Sequence, residues 1–140
     1  MNEIRNHFYR ISIKALVLNE ARDKFLIVKQ TDGRWDLPGG GLEWGATPQT
    51  DIPREIEEEM GLKTTYVAEH PSYFLTCTNS AGDIWIANVL YEVELESLAF
   101  TPSDECTEVR FVNRDEMEGL DLFLNLKLFA QQFDMKKHVR

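Results

Sequence analysis

The stretch that most constrains this 140-residue chain runs from Trp35 to Leu62, WDLPGGGLEWGATPQTDIPREIEEEMGL. Residues 33–45 hold five glycines and one proline in thirteen positions, a density that predicts a loop. Pro48–Met60 then has helical periodicity, and Gly61 follows as a helix-ending glycine should. At about 100° per residue, Glu55, Glu58 and Glu59 fall within a single arc of roughly 100°. Ile52, Ile56 and Met60 form an adjacent apolar stripe able to face a core, and Glu57 points away from the trio. Like charges at these spacings cost a helix about 0.2–0.5 kcal/mol per pair. A hard divalent cation reverses that cost, since Mg²⁺ is held by one or two carboxylates with phosphate oxygens and water. The plainer alternative is a solvated acidic face, the usual fate of a charge run. A glycine backbone beside the cluster, free to approach a ligand closely, weighs against it.

Charge points the same way. The chain carries 24 acids against 15 Lys plus Arg, a formal charge of −9. Residues 51–59 hold five acids and one Arg, and residues 104–108 hold three acids and no base, so two short segments carry most of the excess. An acidic chain is a poor non-specific partner for nucleic acid polymers or anionic membranes. A small anionic substrate remains open to it, provided cations lie between.

Length and patterning predict one domain over residues 1–140. Residues 8–18 and 24–30 read as strands joined by a hairpin-length connection, and residues 64–78 and 83–96 as two strand-like stretches about a turn. Glu108–Val112 reads as a short strand, and residues 122–136 as a terminal helix with Leu122, Leu126, Phe129, Ala130 and Phe133 on one face. Strands in largely hairpin order with two helices give an α+β class. Pro53 is an oddity. Either Thr47–Pro48 opens the helix and Pro53 kinks it, or Thr50 or Asp51 caps a shorter helix with Pro53 in its first turn. A kink or broken first turn is the preferred account. Cys77 and Cys106 show no metal or redox spacing and read as ordinary thiols of a reducing, cytoplasmic setting. His7, His70 and His138 form no zinc pattern. The opening MNEIRNHFYR lacks a signal-peptide core, and no apolar run approaches the roughly 18–20 residues of a membrane span.

Gly40 and the run Arg54-Glu55-Ile56-x-Glu58-Glu59-x-Gly61-Leu62 resemble the Nudix box, GX5EX7REUXEEXGU with U aliphatic, at eight of its nine named positions. Trp35-x-Leu37-Pro38-Gly39-Gly40 resembles the segment leading into such a box. Residues 108–117 resemble the family's late strand and following helix start. The resemblance implies an α/β/α sandwich around a mixed β-sheet. One position departs: where the family has Glu, a supporting residue near the box Arg, this chain has Ala46.

The resemblance further implies hydrolysis of a nucleoside diphosphate linked to another moiety, with Mg²⁺ or Mn²⁺ as cofactor. Glu55, Glu58 and Glu59 carry over as metal ligands, with the Gly39 carbonyl as an added oxygen. Arg54 carries over as the residue that orients a box glutamate, although a helix-surface ion pair would look the same in sequence. The general base is either a box glutamate or an acid on a distant loop, and Glu105 is the candidate for the latter as base and metal ligand. Its plain alternative is an exposed loop acid, and Glu108 reads as structural.

The expected partner is a small nucleoside diphosphate derivative, handled by a monomer or homodimer. A MutT-like (deoxy)nucleoside triphosphate pyrophosphohydrolase, releasing monophosphate and pyrophosphate, is the default within the resemblance. Trp35, Trp44, Tyr73, Phe74 and Trp85 are candidates to stack on a base, though most aromatics in a β-rich domain are core. The competing reading is a Nudix-fold module that binds a nucleotide or ADP-ribose without cleaving it. Ala46 and Pro53 motivate that reading, and the intact Arg54 and glutamate trio argue against it.

Overall fold

The computed structural model describes residues 7–139, so most of the opening segment read for a targeting signal lies outside the described residues. Eight strands are present among them: β1 (Arg10–Leu16), β2 (Phe25–Lys29), β3 (Trp35–Asp36), β4 (Gly39–Gly41), β5 (Thr64–Val67), β6 (Tyr73–Thr78), β7 (Trp85–Leu95) and β8 (Glu108–Val112). Two α-helices accompany them, α1 (Pro48–Met60) and α2 (Leu124–Gln132). β1 pairs in parallel with β7 and antiparallel with β4, while β5 and β6 both pair with β7. β3, β2 and β8 form a second, antiparallel sheet.

Alternation along β1 and β2 divides the core in two. Ile13, Ala15, Val17, Leu26 and Val28 pack with Ile52, Ile56 and Met60 of α1. Leu16, Phe25 and Ile27 pack on the other side with Leu126, Phe129 and Ala130 of α2. Strands buried on both faces between two helices make the expected sandwich.

Helix α1 runs unbroken through Pro53, from an extended Thr47 with Pro48 as its first residue to Gly61 at φ +66°. The opening at Thr47–Pro48 is that of the long-helix account, and the broken first turn preferred from sequence does not occur. Packing explains why the proline is tolerated. Ile52, Ile56 and Met60 are fully buried. At about 1.5–3 kcal/mol apiece their burial outweighs a helical proline's cost of about 3 kcal/mol.

Three segments differ from the sequence expectation. The glycine-rich loop contains β3 and β4, because Gly39–Gly41 pairs with residues 12–14 of β1. Pairing to an ordered strand orders glycines that have no local strand preference. The stretch 64–78 divides into β5 and β6 around Pro71, which lacks the N–H a ladder needs. The terminal helix is shorter, α2 ending at Gln132 and a separate 3-10 turn following at Met135–His138.

The candidate carboxylate site

The glycine strand and the acidic helix meet through specific contacts. Gly39 adopts φ +134°, and a Cβ there would stand 2.1 Å from the Ile13 carbonyl oxygen. Its N–H donates to Glu59 Oε1 at 3.3 Å. A Cβ on Gly40 would stand 2.9 Å from the Glu55 carboxylate. These glycines thus let the backbone lie directly against two of the three glutamates.

Glu59 is 8% exposed, and burial pushes its carboxyl up to about 8 despite the nearby Lys14 charge and the Gly39 N–H. Burial also raises Glu55, against the pull of Arg54. Glu58 and Glu57 are exposed. Arg54 gathers the cluster: Nη2 donates to Glu55 Oε1 at 3.2 Å and Nη1 to both Glu58 oxygens at 3.1 and 3.2 Å.

Glu105, the loop acid of the sequence reading, lies beside Glu55 and Glu59. A cavity of about 400 Å³ is lined by Gly39, Glu55, Glu59, Asp104 and Glu105. Ser103 sets the loop in place, donating from Oγ to the Glu59 carbonyl at 2.7 Å and accepting the N–H groups of Glu105 and Cys106 at 3.2 Å each. Glu108 lies apart as the first residue of β8, bonded to Arg110 at 3.0 Å. Glu58 does not line the cavity.

Among the described residues no three acids, histidines or cysteines stand close enough together to hold a metal ion by themselves. The donor set nonetheless suits a hard cation: it is all oxygen, and the buried Glu59 carboxylate has one backbone N–H as its hydrogen-bond partner. Magnesium sites of this kind are completed by water and substrate phosphate.

A second cavity, of about 440 Å³, opens between β1, β6, β7 and the start of α2. Lys14 and Asp36, an ion pair at 3.0 Å, line it with Asn88 and Asn125. Asn125 Nδ2 donates to Asp36 Oδ1 at 2.8 Å and to Asn88 Oδ1 at 3.4 Å, which fixes the orientation of its amide. Sequence reasoning missed these four polar residues. The available signal was polar positions, Lys14 and Asn88, within strand segments otherwise rich in apolar residues.

The five aromatic candidates separate. Trp35 and Tyr73 are core, whereas Trp44, Phe74 and Trp85 are exposed. None of the five lines either cavity. Phe123, Leu124 and Ile86 are among the apolar residues that line the second one. Cys77 and Cys106 are buried free thiols, and burial raises Cys106 to about 11. His138 is buried, with its ring Nε2 2.7 Å from the Tyr73 hydroxyl. No helix among the described residues is long and apolar enough to cross a membrane.

Comparison with known proteins agrees with this geometry. The family model of the NUDIX domain matches residues 8–135. A MutT-like protein of Streptomyces ambofaciens is 36% identical over 55 residues, covering 39% of this chain and 36% of that protein. The nucleoside triphosphatase NudI of Enterobacter sp. (strain 638) is 27% identical over 97 residues, covering 64% of this chain and 69% of that protein. The match to the Streptomyces protein thus spans little more than a third of its length. Among solved structures, a MutT protein from Methanosarcina mazei Go1 superposes with a TM-score of 0.75 at 22% identity, covering 94% of this chain and 96% of that one.

Proposed function

Because the chain belongs to the NUDIX domain family, we propose that it is a divalent-metal-dependent hydrolase of the pyrophosphate bond in a small nucleoside diphosphate derivative. The default substrate is a (deoxy)nucleoside triphosphate or modified nucleotide, giving the monophosphate and pyrophosphate. The observation that carries this reading is the meeting of Gly39, Glu55, Glu59 and Glu105 around one cavity. The similarity to a protein named as a nucleoside triphosphatase supports the substrate class.

Glu55, Glu59 and Glu105, with a Gly39 oxygen, line the cavity and would hold Mg²⁺ or Mn²⁺, and Glu58, bonded to Arg54 outside that lining, is the further candidate ligand. Bound there, a divalent cation neutralises phosphate oxygens and lowers the pKa of water. Arg54 fixes Glu55 and Glu58 by charge-assisted hydrogen bonds. Glu105 takes the proton from the attacking water as a new bond forms to phosphorus and the bridging oxygen departs. Lys14 lines the neighbouring cavity and also acts electrostatically on Glu59, so it places a positive charge between the two. The nucleoside would occupy that cavity, where the polar wall is Lys14, Asp36, Asn88 and Asn125 and the apolar wall includes Phe123 and Ile86.

A phosphate- and pyrophosphate-release screen tests this reading. It covers nucleoside triphosphates, oxidised nucleotides, ADP-ribose, dinucleoside polyphosphates and nucleotide sugars, each with Mg²⁺ and Mn²⁺. Turnover that falls by orders of magnitude in Glu58→Gln with the fold intact is the expected result. Tight nucleotide binding by calorimetry with no product released would instead identify a binding module.

A further inference from the structure

The position where the box carries Glu is Ala46, which offers no polar side chain to Arg54. Arg54 is nevertheless fully engaged. Its Nη1 and Nη2 reach Glu58 and Glu55, and its Nε donates to Asp51 Oδ1 at 3.3 Å. Asp51 is 4% exposed, in the first turn of α1. Its other oxygen accepts the Glu43 N–H at 2.8 Å. Asp51 therefore touches three things at once: its own helix, the Arg54 guanidinium, and the backbone of the loop that leaves β4.

We infer that Asp51 is the positioning residue for Arg54 and, through it, for Glu55 and Glu58, standing in for the acid absent at Ala46. The inference rests on the proposed metal-dependent hydrolysis for its consequence in catalysis. It does not rest on it for the geometry.

The physical case follows from burial. An exposed i,i+3 ion pair contributes little, because solvent screens it and two flexible side chains must be ordered. Asp51 escapes both losses. Its carboxylate is already fixed by a backbone N–H from another segment, and that contact first, then Arg54, holds its pKa below the usual range. A long, partly exposed arginine gains most from such an anchor, since its planar fork has one orientation once Nε is bound. With Nε tied to Asp51, the two terminal nitrogens point at Glu55 and Glu58. Without it, the guanidinium is held by the carboxylates it is meant to place and by a looser ion pair with the exposed Glu43 carboxylate at 3.9 Å. Ala46 lies close to this arrangement, its N–H bonded to the carbonyl of Glu43 at 3.0 Å, while the Glu43 N–H bonds Asp51. A glutamate at 46 starts from the same turn.

The test uses the whole chain with Asp51→Ala, Asp51→Asn and the double variant Asp51→Ala/Ala46→Glu. Three readouts are followed: the Arg54 Nε–H resonance in ¹H–¹⁵N spectra (assigned with Arg54→Lys), Mn²⁺ affinity by calorimetry, and Tm. In the starting protein the Nε–H, bonded to Asp51 Oδ1, is expected to exchange slowly with solvent. Asp51→Ala is expected to remove that protection and weaken Mn²⁺ binding about 10–100-fold, the usual cost of losing a group that orients metal ligands. The double variant should restore both. Should Asp51→Ala fail to fold, Asp51→Asn carries the reading, since it keeps an acceptor for Glu43 while losing the charge that binds Arg54.

A lower Tm with Arg54 protection and Mn²⁺ affinity unmoved would overturn the inference, as would failure of Ala46→Glu to restore them. None of these readouts needs substrate. A catalytically silent protein that shows them overturns the proposed hydrolysis and leaves the role of Asp51 standing.

Discussion

Gly39 donates its backbone N–H to Glu59 Oε1 across 3.3 Å, joining the strand that follows the Trp35 segment to the last turn of α1. The contact is possible because Gly39 holds φ +134° with no side chain, flush against the backbone of β1 at Ile13 and Lys14. An acid that is costly to bury unpaired is thereby supplied with a donor from main chain.

Gly39→Ala and Gly40→Ala should behave differently. At Gly39 the new Cβ meets a backbone oxygen at 2.1 Å in a positive-φ conformation, so stability should fall by about 3 kcal/mol or more. At Gly40 the nearest atoms belong to the Glu55 carboxylate at 2.9 Å, a movable side-chain end. Gly40→Ala should therefore keep stability within about 1 kcal/mol while displacing Glu55 and cutting turnover about tenfold or more. Urea titration and steady-state kinetics separate the two. Equal unfolding midpoints for both variants would contradict the geometry.

Metal should stabilise the folded chain. Glu55, Glu59, Asp104 and Glu105 concentrate carboxyl groups on one cavity, and a ligand that binds only the folded state stabilises it by mass action, about 2.7 kcal/mol at a hundredfold excess over Kd. Calorimetric Tm should rise with Mg²⁺ and fall back with EDTA. In Glu59→Gln most of that rise should be absent, and an undiminished rise would remove Glu59 from the ligand set.

His138 should make stability sensitive to mild acid. Burial lowers its folded-state pKa, and the nearby Glu92 carboxylate offsets this only in part. The unfolded ring titrates near about 6.5. As pH falls through that value the unfolded chain takes up a proton that the folded chain refuses, so stability is lost below about 6.5 until the folded ring also protonates. His138→Gln should show a shallower loss of urea stability between about pH 6.5 and 5. Parallel curves for the two proteins would place the titration elsewhere.

Pro53→Ala should stabilise α1. The proline has no N–H to give the Gln49 carbonyl one turn earlier, a loss that costs a helix interior up to about 3 kcal/mol. A gain of about 1–3 kcal/mol in unfolding free energy is expected, with Arg54 and the glutamates left in register. A destabilised variant would show that the stiffness of Pro53 matters more than its missing bond.

Several features were legible before any coordinates. The bounds of α1, its ending at Gly61 and the strand Glu108–Val112 coincide with the sequence reading, whereas of the carboxylate trio Glu55 and Glu59 line the cavity and Glu58 does not. These follow from local information: a 3.6-residue period, a glycine free to adopt positive φ, a short β-branched run. The Ala46 departure was equally plain.

What the sequence by itself determined, then, is the identity and register of the acids. Tertiary structure decided what they face. Pairing with β1 turned three glycines into a strand and laid them against Glu55 and Glu59. Ser103, bonded to the Glu59 carbonyl, brought Glu105 to the same cavity from far along the chain. Burial chose Asp51, which looked like one more acid of a charged helix, as the anchor of Arg54. Lys14, Asp36, Asn88 and Asn125 came together only when β1, β3, β7 and α2 packed. Periodicity is local and survives in a linear string. Strand pairing and desolvation join residues distant in sequence, and their energies exist only once the chain has closed on itself.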